Sequence, residues 1–208
     1  MTLSRYTTIV ADPPWPFRWS GGNAWRDDGR GERRLEKRST ARLEYPTMSI
    51  EAIAALPVMD LARDDAHLYL WTPDSFALEG TAASIARAWG FEPKRFLVWK
   101  KSGFGLGTFP RPQHELVLMC KRGSLDYQVN NVGSVQEWKL VYKNGHRVHS
   151  AKPEGFLDLV EHASPGPYLE LFARRQRIGW HTWGNECFQD VALERRVELV
   201  ATKDTKSS

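Results

Sequence analysis

The sequence predicts an α/β fold, a mixed wound sheet with helices on both faces, and three observations lead there. Five continuous apolar runs of strand length recur along the chain, which suits strands buried on both faces. Helical patterns fall between those runs, so strands and helices alternate. No internal repeat and no linker rich in Gly, Ser or Pro divides the 208 residues, a length that supports one well-buried core. The expected organisation is a single domain over residues 1–190 and a C-terminal extension over 191–208, disordered from Lys203.

The first expected strand, Thr8–Ala11, runs straight into Asp12-Pro13-Pro14-Trp15-Pro16. A turn needs one proline, not three around a tryptophan. Each proline holds the residue before it extended, which fixes Asp12 and Pro13. Proline also donates no N–H, so this stretch offers carbonyl acceptors. In open α/β sheets, ligands bind beyond the carboxyl ends of the strands. Asp12 then supplies a carboxylate, Pro13 a fixed carbonyl, and Trp15 an aromatic plate. That set suits a neutral planar amine, with one N–H on Asp12, the other on Pro13, and Trp15 against the ring. Drawing both protons toward acceptors frees the nitrogen lone pair for attack on an activated electrophile, with no metal required. The plainer alternative is a rigid strand-end turn around a buried tryptophan.

Residues 16–44 interrupt the alternation as a long loop with six basic and four acidic residues between Arg26 and Arg38. Ser49 is expected to cap a helix that stops at Pro57. The next strand is His67–Trp71. A helix from a cap at Asp74 to Gly90 follows, with Phe76, Leu78, Ala82, Ile85 and Trp89 on its apolar face. Strands at Arg95–Trp99 and Glu115–Cys120 flank a second long loop, residues 100–113, with three glycines and two prolines. Pro153 opens a helix that buries Phe156, Leu157 and Val160. Tyr168–Phe172 is the last of the five runs.

Several functional classes fall away. Gly103-Phe104-Gly105-Leu106-Gly107 is followed by Thr108-Phe109-Pro110-Arg111-Pro112, which cannot open the helix that a dinucleotide fingerprint demands. His146 and His149 have no companion ligands, so no metal is expected. Cys120 and Cys187 form neither a disulfide framework nor a metal spacing, and Cys187 with His181 lacks a positioned base. His114-Glu115 opens a strand and is expected to be structural or loop-anchoring. The chain opens without the apolar run of a signal peptide and has no stretch long enough to span a membrane, so a cytoplasmic protein is expected. Lys and Arg number 29 against 25 Asp and Glu, a net charge of +4 that permits an acidic partner without requiring one. Nine tryptophans, among them Trp15, Trp19, Trp25 and Trp183, provide candidate stacking surfaces.

Three ordered motifs, "ADPPW", "YPTMS" and "SPGPYLELFARR…GWHTWGNE", resemble the N6-adenine methyltransferases, the family of the eukaryotic messenger-RNA adenosine methyltransferase catalytic subunit and of bacterial and phage DNA modifiers. The resemblance covers roughly Ile9 to Glu186. It implies a Rossmann-like fold in permuted order, catalytic motif first and cofactor strand last, with S-adenosylmethionine as methyl donor. By matching position it implies Asp12 between the methionine part of the cofactor and the target amine, with Tyr45 and Lys152 toward the cofactor carboxylate. It also implies Asn185 and Glu186 on the adenosine, Arg174 and Gln176 nearby, and Arg147 and Ser150 in a closing loop. Arg175-Gln176-Arg177 departs from the eukaryotic enzyme, so Gln176 and Arg177 carry less weight. That enzyme's acidic adenine-binding segment, well ahead of its DPPW, has no counterpart in the eleven residues before Asp12.

The resulting expectation is methyl transfer to the exocyclic amine of a flipped or unpaired adenine in nucleic acid. Trp15 and Trp19 would hold the base, and Arg33, Arg34, Lys37, Arg38, Lys101 and Arg111 the phosphates. DNA is favoured over RNA because no RNA-binding module is recognisable; RNA stays open. A non-catalytic partner subunit is disfavoured by the presence of Asp12, Lys152 and Asn185. Cytosine N4 methylation is disfavoured by Asp12, where those enzymes commonly carry serine. The resemblance allows a homodimer, and no heptad or apolar patch specifies one.

Overall fold

A computed structural model describes residues 6–16, 46–104, 110–143, 146–147, 151–191 and 193, together with two short stretches, 23–27 and 33–37. In those two stretches and in 142–143 and 146–147 only the backbone is described. A seven-stranded sheet forms the centre: β1 (Tyr6–Ala11), β4 (Ala62–Thr72), β5 (Glu92–Lys100), β6 (His114–Arg122), β7 (Val135–Gln136), β10 (Tyr168–Leu171) and β11 (Trp180–Trp183), in the order β11-β10-β1-β4-β6-β5-β7. All are mutually parallel except β6, which runs antiparallel to both β4 and β5. The chain also forms two antiparallel pairs, β2 (Asn23–Asp27) with β3 (Arg33–Lys37) and β8 (Tyr142–Lys143) with β9 (His146–Arg147).

Strand alternation builds two cores. Ile9, Ala11, Leu68 and Leu70 point to one face, where α1 (Ile50–Ala54), α2 (Val58–Leu61) and α4 (Thr81–Ala88) bury Ile53, Val58, Leu61, Ile85 and Ala86. Val10, Tyr69 and Trp71 point to the other, against Phe156, Leu157 and Val160 of α5 (Glu154–Ala163). The mixed sheet with helices on both faces is therefore as expected. β1 is the hinge of this arrangement. The crossover from β1 to β4 packs on the first face, and α5, which leads into β10, packs on the second. The crevice between the carboxyl ends of β1 and β10 is the topological switch point.

Local signals were obeyed where a single residue dictates the backbone. Ser49 Oγ accepts the Ala52 N–H at 3.1 Å and caps α1. Gly90, at φ +82°, takes the left-handed position just after α4. The helix expected over Asp74–Gly90 is instead two, α3 (Asp74–Leu78) and α4, because Gly80 adopts φ +77° and breaks the ladder. The break turns Leu78 outward to 88% exposure, so it does not join an apolar face. Pro73 rather than Asp74 caps α3, and Pro153 caps α5 instead of entering its first turn. The loop expected over 16–44 contains the β2–β3 pair, and the four-residue β11 was not anticipated. Val191 is buried in the first core and Leu193 packs on it, so the core runs past the expected boundary at 190. The expected disorder from Lys203 lies outside the described residues.

Candidate active site

The parallel strands all end on one rim, and the reversal of β6 brings its beginning there too. Ala11 registers with Leu171 and Leu70, Leu171 with Trp183, Thr72 with Leu116, and Lys100 with His114. Asp12, Thr72, Lys101, Glu115, Phe172 and Gly184 therefore share one edge of the sheet.

Asp12 leaves β1 with its N–H on the Leu171 carbonyl at 3.4 Å. The Trp15 N–H returns to the Pro13 carbonyl at 2.8 Å, and the Met48 N–H takes the Pro14 carbonyl at 2.9 Å. Both proline carbonyls thus hold one backbone donor. Each keeps a second lone pair, so Pro13 still qualifies as an acceptor. Trp15 is a correction to the expected stacking plate. It is 6% exposed, its indole N–H donates to the Trp71 carbonyl at 3.0 Å, and its ring stacks on Phe76 with centroids 5.0 Å apart. The ring nails the motif to β4 and α3 and presents no open face.

Lys152, just ahead of α5, reaches over the Trp71 ring at 4.6 Å and meets Asp12 Oδ2 at 3.2 Å and Glu115 Oε2 at 2.9 Å. Glu115 also binds the Lys101 ammonium, which lies 4.9 Å from the Trp99 ring centroid. Lys101 was expected to grip phosphate; it is turned inward, where it gives the half-buried Glu115 carboxylate a second counter-ion. Burial lifts the Asp12 carboxyl above its ordinary value, with Lys152 opposing and Glu115 adding to the rise. Burial pushes Glu115 the same way, but Lys152 and Lys101 together hold it below the usual glutamate value. Burial works against the Lys152 ammonium, and its two carboxylate partners keep it raised.

On the other side of the switch point, Phe172 adopts φ +63°, uncommon for a residue with a side chain, directly after β10. Its ring meets Trp183 edge-on at 5.2 Å. A Cβ on Gly184 would lie 2.1 Å from the Ala173 carbonyl, so only glycine lets the segments after β10 and β11 approach this closely. The approach brings Arg174 and Glu186 within 3.6 Å and leaves Gln176, Asn185 and Glu186 exposed at the rim. Glu170, one residue inside β10, is a buried carboxyl whose Oε2 has no partner among the described residues; burial raises it to about 7 against the pull of Arg175.

Other expected residues fall elsewhere. Arg177 binds Glu154, Asp158 and Glu161 in a structural clasp along α5. Arg111 lies 5.1 Å from the Phe104 ring centroid. Arg33, Arg34 and Lys37 belong to β3 and Arg147 to β9, where only the backbone is described. Trp19, Arg38, Tyr45 and Ser150 lie outside the described residues. His181 is engaged by the Tyr6 hydroxyl at 2.6 Å, not by Cys187. Among the described residues, no group of three His, Cys, Asp or Glu could hold a metal, and no helix is long and apolar enough to cross a membrane. Sequence reasoning missed Glu115. The available signal was a carboxylate interrupting an otherwise apolar strand at its rim end.

The MT-A70 family model matches residues 6–186, which span the whole seven-stranded sheet and every element of this rim. The chain belongs to the MT-A70 family. Among its relatives is the Type II methyltransferase M.MunI of Mycoplasma sp, 30% identical over 190 residues, which cover 88% of this chain and 78% of that protein. The N(6)-adenine-specific methyltransferase METTL4 of Mus musculus is 28% identical over 194 residues, and that of Homo sapiens 27%. Those matches cover 87% of this MT-A70 chain but only 37% of either METTL4.

Proposed function

We propose that this MT-A70 protein is an S-adenosylmethionine-dependent N6-adenine methyltransferase that acts on nucleic acid, with DNA as its polymer. The observation that carries the reading is a carboxylate, Asp12, fixed beside the Pro13 carbonyl at the switch point of the sheet. Similarity to a type II methyltransferase over 88% of the chain supports DNA, and the METTL4 names support the N6 amine of adenine as acceptor.

The residues present fit the cofactor. Exposed Arg174, Asn185 and Glu186 line the ends of β10 and β11, where Gly184 draws the two segments together. The Glu186 carboxylate suits a pair of ribose hydroxyls, and Lys152 is a cation for the cofactor carboxylate. When bound, S-adenosylmethionine supplies an electrophilic methyl group. Asp12 accepts one N–H of the adenine amine, and the remaining lone pair of the Pro13 carbonyl accepts the other. The two acceptors orient the amine and free its lone pair; Trp15, anchored beneath, keeps both in register. Alignment of this kind can lower the barrier by roughly 7–11 kcal/mol. Extruding the base from a duplex costs a few kcal/mol, which single-stranded substrate avoids. Arg33, Arg34 and Lys37 fall on β3, and their charges suit the phosphate backbone.

A radiolabelled methyl-transfer assay on adenine-containing single-stranded DNA, duplex DNA and RNA, with digestion products resolved by mass spectrometry, tests this reading. N6-methyladenine on DNA is expected. Methyl transfer to RNA alone would overturn the choice of polymer, and no transfer to any of them would overturn the activity.

A further inference from the structure

Four alternating charges run along the rim, and the proposed mechanism uses only part of the row. Lys101 binds Glu115, Glu115 Oε2 lies 2.9 Å from Lys152 Nζ, and Lys152 Nζ lies 3.2 Å from Asp12 Oδ2. Their side chains are 13%, 28%, 20% and 26% exposed in that order, so water screens none of them well. Both ammoniums rest on indole faces, Lys101 on Trp99 and Lys152 on Trp71, which limits their swing. Among the described residues, Glu115 is the group that touches both cations.

Glu115 acts on Asp12 in two ways. It takes a share of the Lys152 ammonium, and it places a second negative charge near the Asp12 carboxylate. Both make Asp12 a stronger acceptor than it would be in a closed pair with Lys152. Lys101 modulates the effect. With Lys101 in place, Glu115 is partly satisfied and pulls on Lys152 only moderately.

We infer that Glu115 is a positioning residue for methyl transfer: by sharing Lys152 with Asp12 it keeps the Asp12 carboxylate available to the substrate amine, and Lys101 sets the balance of that sharing. The inference rests on Asp12 being the amine acceptor. The charged groups that bear on Asp12 are Lys152 ahead of α5, Glu115 on β6, Arg174 after β10 and Glu170 on β10. Arg174 and Glu170 stay unchanged in the variants below, so their influence cancels.

Removing Glu115 and removing Lys101 should push Asp12 in opposite directions. Without the Glu115 charge, Lys152 closes on Asp12 and the carboxyl becomes more acidic. Without Lys101, Glu115 draws Lys152 away and the Asp12 carboxyl becomes less acidic. Opposed signs are what charge sharing requires, and a fall in kcat at near-constant KM separates it from a purely structural ion pair.

The test uses full-length protein labelled with 13C at the aspartate carboxyls, with the Asp12 signal assigned by its loss in Asp12→Asn. In Glu115→Gln, the Asp12 titration midpoint is expected to fall by about half to one pH unit, and in Lys101→Gln to rise by a smaller amount. The acid limb of kcat for methyl transfer to DNA should move in the same two directions. Plateau kcat in Glu115→Gln should fall about tenfold while KM for DNA stays within about twofold. Shifts of the same sign, no shift, or an unchanged kcat would overturn the inference. Should Glu115→Gln not fold, the rise in Lys101→Gln decides alone. An inactive wild-type enzyme with opposed Asp12 shifts would instead overturn the methyltransferase reading and leave the charge sharing standing.

Discussion

Replacing Trp15 separates an anchor from a stacking plate. The indole is 6% exposed, donates to the Trp71 carbonyl at 3.0 Å and stacks on Phe76. Trp15→Phe keeps an aromatic ring and deletes the donor, leaving the buried Trp71 carbonyl unpaired on that side. The expected loss is about 1–3 kcal/mol. Trp15→Ala removes the whole ring from a core contact and should cost about 3–5 kcal/mol. Against a total stability of about 5–15 kcal/mol, the second change alone brings the protein near its unfolding threshold. Urea unfolding of both variants reads these losses as shifts in midpoint at constant slope. Methyl transfer, measured where each variant is still folded, should fall for Trp15→Phe because the Pro13 carbonyl loses its register. A plate that stacks on the base predicts the reverse, with Trp15→Phe fully active and Trp15→Ala stable but inactive. That pattern would refute the anchoring argument.

Four further outcomes follow from the rim. Asp12→Ala should abolish methyl transfer while isothermal calorimetry still detects weakened cofactor binding, since Lys152 retains Glu115 as its partner. Glu186→Ala should raise the cofactor dissociation constant with little change in unfolding midpoint; an unchanged constant would displace the adenosine from β11. Glu170 has a folded pKa of about 7, raised from 4.5, so its protonated form stabilises the fold below pH 4.5 and that stabilisation is lost as pH rises toward 7. Glu170→Gln should therefore remove this decline and gain stability at pH 8, at most on the order of 3 kcal/mol at about 1.4 kcal/mol per pH unit, as read by urea titrations across pH 4–8. Neutralising Arg33, Arg34, Lys37 and Arg38 together should flatten the salt dependence of DNA binding by up to about four units of log–log slope; an unmoved slope would mark that segment as a solvated face.

The parts of this protein legible in its sequence are those written as continuous runs. β1, β4, β5, β6, β10 and α5 each bury side chains in a pattern carried by neighbouring residues, so local periodicity located them. β11 escaped because its four residues, Trp180–Trp183, alternate buried and exposed as an edge of the sheet and lack an apolar run. The break at Gly80 escaped because one left-handed residue overrode a helical pattern that continued on both sides. At the site, Asp12 and Pro13 were legible since proline geometry is a local property. Trp15 was misjudged because burial depends on Phe76 and Trp71, which lie far along the chain. Glu115 was passed over for the same reason: its cations, Lys101 and Lys152, come from 14 residues before it and 37 after it. Ion pairs at such separations leave no trace in spacing.

The reversal of β6 within the seven-stranded sheet has a consequence for how such proteins can diversify. Because β6 runs backward between β4 and β5, the segment 100–113 leaves the rim and comes back to the rim. The segment between β1 and α1 likewise begins beside Asp12 and returns to it through the Met48–Pro14 hydrogen bond. Each therefore behaves as a cassette plugged into two fixed sockets. A cassette can be lengthened, shortened or exchanged with a relative's while every register in the sheet stays put. Chimeras that exchange one segment at a time, with Lys101 kept for its ion pair with Glu115, test whether either segment sets target preference.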